Sequence, residues 1–251
     1  MKDSLSILIF KDRAGLGQAA GQAAGEAIKE AIIRKNCANV MFAAAPSQNE
    51  MLETLCADPD IDWRKVNAFH MDEYVGLDEN HPAGFRNFLK HAIFNRKPFK
   101  SVNLLNGNAT EPEEEAARYG ALLDAHPIDV CLCGIGENGH LAFNDPPVAD
   151  FHDPVKVKIV RLDQVCRTQQ VHDGCFTTLE EVPRFAMTVT IPALVSSCCI
   201  ICSVPAASKA KAVQQTLEGE IGESCPATIL RSHANARLYL DRESAGLIKA
   251  G

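Results

Sequence analysis

Four short stretches of this chain carry side chains suited to proton and anion chemistry. The first, Gly134-Ile-Gly136-Glu-Asn138-Gly139-His140, runs on through Leu141-Ala-Phe-Asn144 to Asp145-Pro-Pro147. Its histidine titrates near neutrality when unperturbed, and the Asn138 amide or the Asp145 carboxylate could orient the ring for proton transfer. Three glycines permit positive φ and close backbone approach to a ligand. A dinucleotide site would need a helix after such a turn, and Pro146 and Pro147 close that option off. A loop histidine with incidental neighbours is the plain alternative. In Phe69-His-Met-Asp72-Glu73-Tyr74 two adjacent carboxylates end an apolar run. On a strand they face opposite ways, so at most one can enter a given cleft and the other could serve structure. The first could remove a C–H proton beside a carbonyl or imine; a helix-initiating or solvated acidic pair is the competing reading. Ala43-Ala-Ala-Pro46-Ser47-Gln48-Asn49-Glu50 sets N–H groups and a hydroxyl at a helix start, a natural anion site that here lacks the usual glycines, and Ser47 could equally be an N-cap. Val204-Pro-Ala-Ala-Ser208-Lys209 puts a basic side chain at a strand-to-helix junction, where it could pair with a phosphate or lie solvated on a helix face.

Alternating strands and helices must position these loops. Residues 15–34 repeat Ala, Ile and Leu at helical spacing, and an apolar run over 40–45 precedes a second helical stretch from Glu50. The alternation continues with strands near 66–71, 102–105, 128–133, 185–191 and 198–204. Helices are expected near 84–94, 113–125 and 206–217, with a last strand over 237–240. Val-, Ile- and Cys-rich strands separated by helices predict a mostly parallel sheet covered on both faces, a Rossmann-like three-layer sandwich. No linker or repeat divides the chain, so one α/β domain over 1–251 is expected. In open sheets of this kind ligands bind beyond the carboxyl ends of the strands, which is where the loops described above fall.

Composition narrows the ligand. Of 251 residues, 25 are basic and 32 acidic, a net charge of −7, and 46% are hydrophobic. That balance predicts a folded chain and disfavours nucleic acid, whose phosphates need a concentrated Lys/Arg surface. The apolar stretch from Leu5 to Phe10 is broken at once by Lys11, Asp12 and Arg13, so no signal peptide is read there, and no run approaches a membrane span. Ten cysteines sit largely within apolar runs and are expected to be reduced, structural thiols of a cytoplasmic protein. Cys199 and Cys202 alone have zinc-like spacing, on one buried strand, and no metal is expected.

Taken together, Met71-Asp72-Glu73-Tyr74-Val-Gly-Leu, Asn103-Leu-Leu-Asn106-Gly-Asn108, Gly136-x-x-Gly139-His140-Leu-Ala-Phe-Asn144-Asp145-Pro and Ser208-Lys209-Ala resemble the glucosamine-6-phosphate deaminases, in order and spacing, from about Val40 to Leu240. That family shares its fold with the 6-phosphogluconolactonases; the tyrosine after Asp-Glu and the Leu-Ala-Phe-Asn after His140 resemble the deaminase branch. The resemblance implies conversion of glucosamine 6-phosphate to fructose 6-phosphate and ammonia, without metal or organic cofactor. Asp72 would move a proton from C2 to C1 of the opened sugar, and His140 would open the ring. Asp145, matching the family's glutamate, would orient or charge that imidazole together with Asn138. Lys209 and the loop of Ser47 and Gln48 would hold the phosphate, with Gly136 and Gly139 lining the substrate.

Three departures bear on binding and ring opening. Asn138 replaces the family's aspartate, Ala45-Pro-Ser-Gln-Asn replaces a Gly- and Thr-rich phosphate loop, and Gln170 aligns with a phosphate-contacting arginine, with Arg167 near enough to substitute only if the register slips. Lys156 and Lys158 partly match positions that regulated members use for an allosteric sugar phosphate, and no regulation is expected. Two rivals remain at this stage: a sugar-phosphate lactonase with His140 activating water, and a non-catalytic sugar-phosphate sensor. The ligand expected is a small sugar phosphate, and a homo-oligomer is left open.

Overall fold

The computed structural model describes residues 4–249. Its elements run β1 (Ser6–Phe10), α1 (Arg13–Lys35), β2 (Ala38–Phe42), α2 (Asn49–Ala57), β3 (Val66–His70), β4 (Asp72–Tyr74), α3 (Phe85–Leu89), β5 (Ser101–Asn103), α4 (Pro112–Ala125), β6 (Val130–Cys133), β7 (Val157–Arg161), α5 (Gln164–His172), β8 (Phe185–Val189), α6 (Ile191–Val195), β9 (Cys199–Val204), α7 (Ala210–Glu218) and β10 (Ala236–Asp241). Seven strands form one sheet in the order β1-β10-β9-β6-β2-β3-β5, and every pairing in it is parallel. The run 185–191 does not join that sheet. It forms the centre of a second, antiparallel sheet, β4-β8-β7, reached when the chain steps out of β3 through Met71 alone.

The period of two along the strands sorts their side chains onto two faces. Val40, Phe42, Ala68, Leu132 and Ile201 pack with Leu16, Ala24 and Ile28 of α1 and with Met51 and Leu55 of α2. Their neighbours Met41, Phe69, Cys131, Cys133, Cys202 and Leu238 pack on the other side with Tyr119 and Leu123 of α4 and Val213 of α7. The main sheet is thus buried on both faces, which is why its strands read as nearly continuous apolar runs.

Local chemistry sets the bounds of α1. The Asp12 carboxylate accepts from the Gly15 N–H at its start, and Asn36 closes it in the left-handed conformation, with Arg34 and Lys35 in the last turn. A Cβ on Gly17 would lie 2.2 Å from Cβ of Glu50, and one on Gly21 would lie 2.5 Å from Cβ of Thr54. The small residues of α1 are therefore what lets α2 approach so closely. All ten cysteines are free thiols, yet only Cys131, Cys133, Cys199 and Cys202 lie on strands; Cys56 and Cys166 are on helices and the others on connections. No helix among the described residues is long and apolar enough to cross a membrane.

Candidate active site

The chain segments that follow β2, β3, β6 and β9 meet at the carboxyl ends of four adjacent strands and enclose a cleft of about 120 Å³. Ser47, Gln48, Asp72, Gly136, His140 and Lys209 all line it, as does Gln170 of α5. Gly139, Asn138 and Asp145 do not; they act behind the wall. Gly139 has φ +83, and a Cβ there would lie 2.5 Å from Sγ of Cys225, so its role is to turn the loop tightly rather than to meet substrate. Gly136 has a related function. A Cβ at that position would lie 2.1 Å from Cε1 of His140, so the imidazole packs flat against backbone that only glycine leaves open.

The adjacent carboxylates divide their work as strand geometry requires. Glu73 turns away from the cleft: Oε1 accepts from the N–H groups of Tyr74 and Phe85, and Oε2 from that of Arg86, which binds it to the start of α3. Asp72 faces the cleft, is buried, and has no side-chain hydrogen-bond or ion-pair partner among the described residues. Burial, reinforced by the neighbouring Glu73 charge, raises its pKa well above the usual carboxylate range. Such a carboxylate is a stronger base when ionised than one in water. His70, two residues earlier, is a core histidine. Its Nε2 accepts the Leu105 N–H at 2.8 Å, and burial pushes its pKa down to about 3, so it stays neutral.

His140 Nδ1 lies 2.7 Å from Asn138 Oδ1 and 2.9 Å from Asp145 Oδ1. Two acceptors at one ring nitrogen hold the hydrogen there, leaving Nε2 with the lone pair for proton exchange. Asn138 Nδ2 donates to the same Asp145 oxygen at 3.0 Å, and the Asp163 N–H reaches the other at 3.3 Å. Burial acts to raise the Asp145 pKa, but the imidazole, the Asn138 amide and the Asp163 N–H together outweigh it and hold the carboxyl below its usual value. The amide at position 138 thus bridges His140 and Asp145 rather than leaving a gap between them. Cys166 Sγ approaches the same group, and its ligand atom with those of His140 and Asp145 lies within 4.8 Å of the others, a set able to hold a soft divalent ion. The sequence signals no such set, because Cys166 lies on a separate element.

Two cations, Lys209 and Arg13, also line the cleft. Lys209 is buried, its ammonium has no hydrogen-bond or ion-pair partner among the described residues, and burial lowers its pKa despite the more distant Asp173 and Glu137. Ser47 is no N-cap; it lies inside a 3₁₀ turn, Pro46–Gln48, and its Oγ accepts from Gln48 Nε2 at 2.9 Å. Gln170, in place of the expected arginine, accepts from the Tyr74 hydroxyl at 3.0 Å. Arg167 does not replace it: its guanidinium turns away to the Leu179 and Val182 carbonyls. The cation that does line the cleft beside Ser47 is Arg13, which donates to the Pro46 carbonyl and to Glu50. In the sequence Arg13 registers only as a charge ending an apolar run. Two non-glycine residues with positive φ, Ala142 and Ala206, also line the cleft, so backbone strain is concentrated there.

The same arrangement of elements occurs in proteins already characterised. A family model described as glucosamine-6-phosphate isomerases/6-phosphogluconolactonase matches residues 11–239. A glucosamine-6-phosphate deaminase of Listeria monocytogenes is 34% identical over 210 residues, covering 84% of this chain and 88% of that protein. One from Streptococcus sanguinis is 34% identical over 212 residues, with the same two shares. Among solved structures, a monomeric glucosamine-6-phosphate deaminase superposes with a TM-score of 0.87 at 28% identity, over 96% of this chain and 99% of its own. The 6-phosphogluconolactonase of Trypanosoma brucei has a TM-score of 0.75 at 18% identity, over 97% and 98%, a likeness of fold alone. With most of its length matched in this way, the chain belongs to the glucosamine-6-phosphate isomerase/6-phosphogluconolactonase family.

Proposed function

We propose that the chain catalyses the isomerisation and deamination of an amino-sugar phosphate, glucosamine 6-phosphate plus water giving fructose 6-phosphate and ammonia. The observation that carries this reading is Asp72: a buried, unpartnered carboxylate with a raised pKa, facing a cleft that the cations Lys209 and Arg13 also line. A lactone hydrolase needs a base for water, which His140 alone would supply; it gives Asp72 nothing to do. The names borne by the relatives at 34% identity support the same side.

His140 Nε2 takes the proton of the C1 hydroxyl and returns it to the ring oxygen as the C1–O5 bond breaks, leaving an aldehyde. Its Nδ1–H stays on Asn138 and Asp145 throughout, so the ring keeps one orientation while Nε2 gains and loses the proton. Asp72 then removes the C2 proton, the C2 electrons form the C1–C2 double bond, and the C1 oxygen takes a proton from the C2 ammonium to give an enolamine. The same carboxylate returns a proton to C1, forming a C2 imine, which water hydrolyses with release of ammonia. One carboxylate can serve both carbons only if the sugar is held still. Lys209, Arg13 and the Ser47 turn hold the phosphate in this scheme, while Gln170 contributes a polar contact without charge.

Turnover of glucosamine 6-phosphate in deuterated water tests the reading. The expected result is ammonia together with deuterium at C1 of the ketose. Asp72→Asn is expected to lower kcat by at least about 10²–10⁴-fold, the contribution of a positioned acid–base group, while the ligand still binds. Release of ammonia at the normal rate by that variant would show the base to be misassigned, and failure of the wild-type chain to release any would overturn the reaction.

A further inference from the structure

A second cavity, of about 490 Å³, opens on the other side of Asp145 and shares no lining residue with the cleft. Arg161, Arg167 and Arg184 line it, with Asp145, Asp163 and Gln164. The antiparallel register of β7 and β8 brings Arg161 and Arg184 together, Arg161 standing opposite Phe185 and the Leu162 N–H bonding to the Arg184 carbonyl at 2.9 Å, while Arg167 comes from α5. Arg161 and Arg184 are exposed, and neither side chain has a hydrogen-bond or ion-pair partner among the described residues. Arg167 gives one nitrogen to the Leu179 and Val182 carbonyls, and its Nε is buried without a partner.

The two acids in the wall are already engaged. Asp145 is held by His140, Asn138 and the Asp163 N–H, and Asp163 Oδ2 accepts the Val165 N–H as the cap of the nine-residue helix α5. Three guanidinium groups therefore face two carboxylates across a concave space at a helix N-terminus; Asp145 is already paired with His140, and neither Arg161 nor Arg184 has a carboxylate bonded to it. Cations outnumber acids in this wall, and a bound anion would give the two exposed guanidinium groups the counter-charge that none of its side chains bonds to them.

We infer that this cavity is a second anion site, separate from the cleft, that takes a small molecule through a phosphate group. Arg161 and Arg184 provide the planar, multidentate donors suited to phosphate oxygens, and the cavity is roomy enough for the body of a small phosphorylated ligand. This assignment does not depend on which reaction the cleft performs.

Calorimetric titration of inorganic phosphate into the full chain tests it, using Lys209→Gln to remove the buried cation of the cleft. The Lys209→Gln protein is expected to retain phosphate binding. Adding Arg161→Gln and Arg184→Gln should then weaken that binding about tenfold or more, the scale of losing charge-assisted contacts. Both arginines are exposed, so an unchanged melting temperature is expected and shows that the fold persists. Loss of all phosphate binding with Lys209→Gln alone would overturn the second site, as would residual binding that the arginine substitutions leave unaltered.

Discussion

Asp72 and Asp145 are two carboxylates in one site with opposite couplings to stability. Asp145 is held below its ordinary pKa, so its ionised form stabilises the native chain, and that contribution is lost as the pH falls through the folded pKa. Asp72 is the reverse case. Its raised pKa means that the native state binds the proton more tightly than the unfolded chain does, so the ionised carboxylate subtracts from stability at every pH above the folded value. Asp72→Asn should accordingly raise the melting temperature at neutral pH. Scanning calorimetry should show the gain shrinking as the pH falls through the folded pKa towards that of a carboxylate in water; an unchanged or lower melting temperature at pH 7 would mean that the charge is compensated after all. The contrast follows from hydrogen bonding rather than depth, because both side chains are buried and only Asp145 has donors.

Helix α1 influences the site through its contact with α2. Gly17 and Gly21 sit where a Cβ would strike Glu50 and Thr54, and Glu50 in turn holds Arg13 beside the Ser47 turn. Gly21→Ala would push the helices apart. Overpacking of this kind costs about 1–3 kcal/mol, and at about 2–4 °C per kcal/mol for a chain of this size, thermal denaturation should show a fall of roughly 2–12 °C. Most of the parallel sheet is legible in the sequence, because strands buried on both faces must be apolar throughout. What escapes is instructive. β1 is an edge strand with Ile7 and Ile9 exposed, so its apolar run is not explained by burial and reads as an unassigned terminus. β7 alternates Val157, Ile159 and Arg161 with Lys158 and Val160, too mixed to separate from a charged loop, and α5 is rich in Gln with Cys166 as its one buried apolar side chain. With those two elements unseen, the small antiparallel sheet is unseen as well. Asp72, His140, Asn138, Asp145, Ser47 and Lys209 can be named from local motifs. Arg13 cannot, since only the packing of α1 on α2 carries it to the cleft, and the glycines of the His140 loop are legible as flexible but not as the floor beneath an imidazole.

At the scale of the whole molecule, the proposed substrate and the chain carry charge of the same sign. A net charge of −7 repels a sugar phosphate, so on the proposed function affinity must come from Lys209 and its neighbours. Lys209 is only 6% exposed, and buried charges are screened far less than surface ones. Added salt therefore weakens the general repulsion while leaving the local attraction largely intact, and KM for the sugar phosphate should change by less than about threefold between roughly 0.05 and 0.5 M salt in steady-state assays. A steep rise in KM would place the binding charge at the surface instead. The cleft also straddles the two sheets: Asp72, the proposed base, belongs to β4 of the small one, Lys209 to the turn that follows β9 of the large one, and Met71 alone separates β3 from β4. A last consequence lies at the far edge, where Ser6 of β1 pairs with Arg237 of β10. During synthesis the first strand leaves the ribosome long before its sole neighbour exists, waiting tens of seconds at about 5–20 residues per second. Through that interval Ile7 and Ile9 stand on an unpaired strand, and the β1–β10 pairing is the last of the sheet to close.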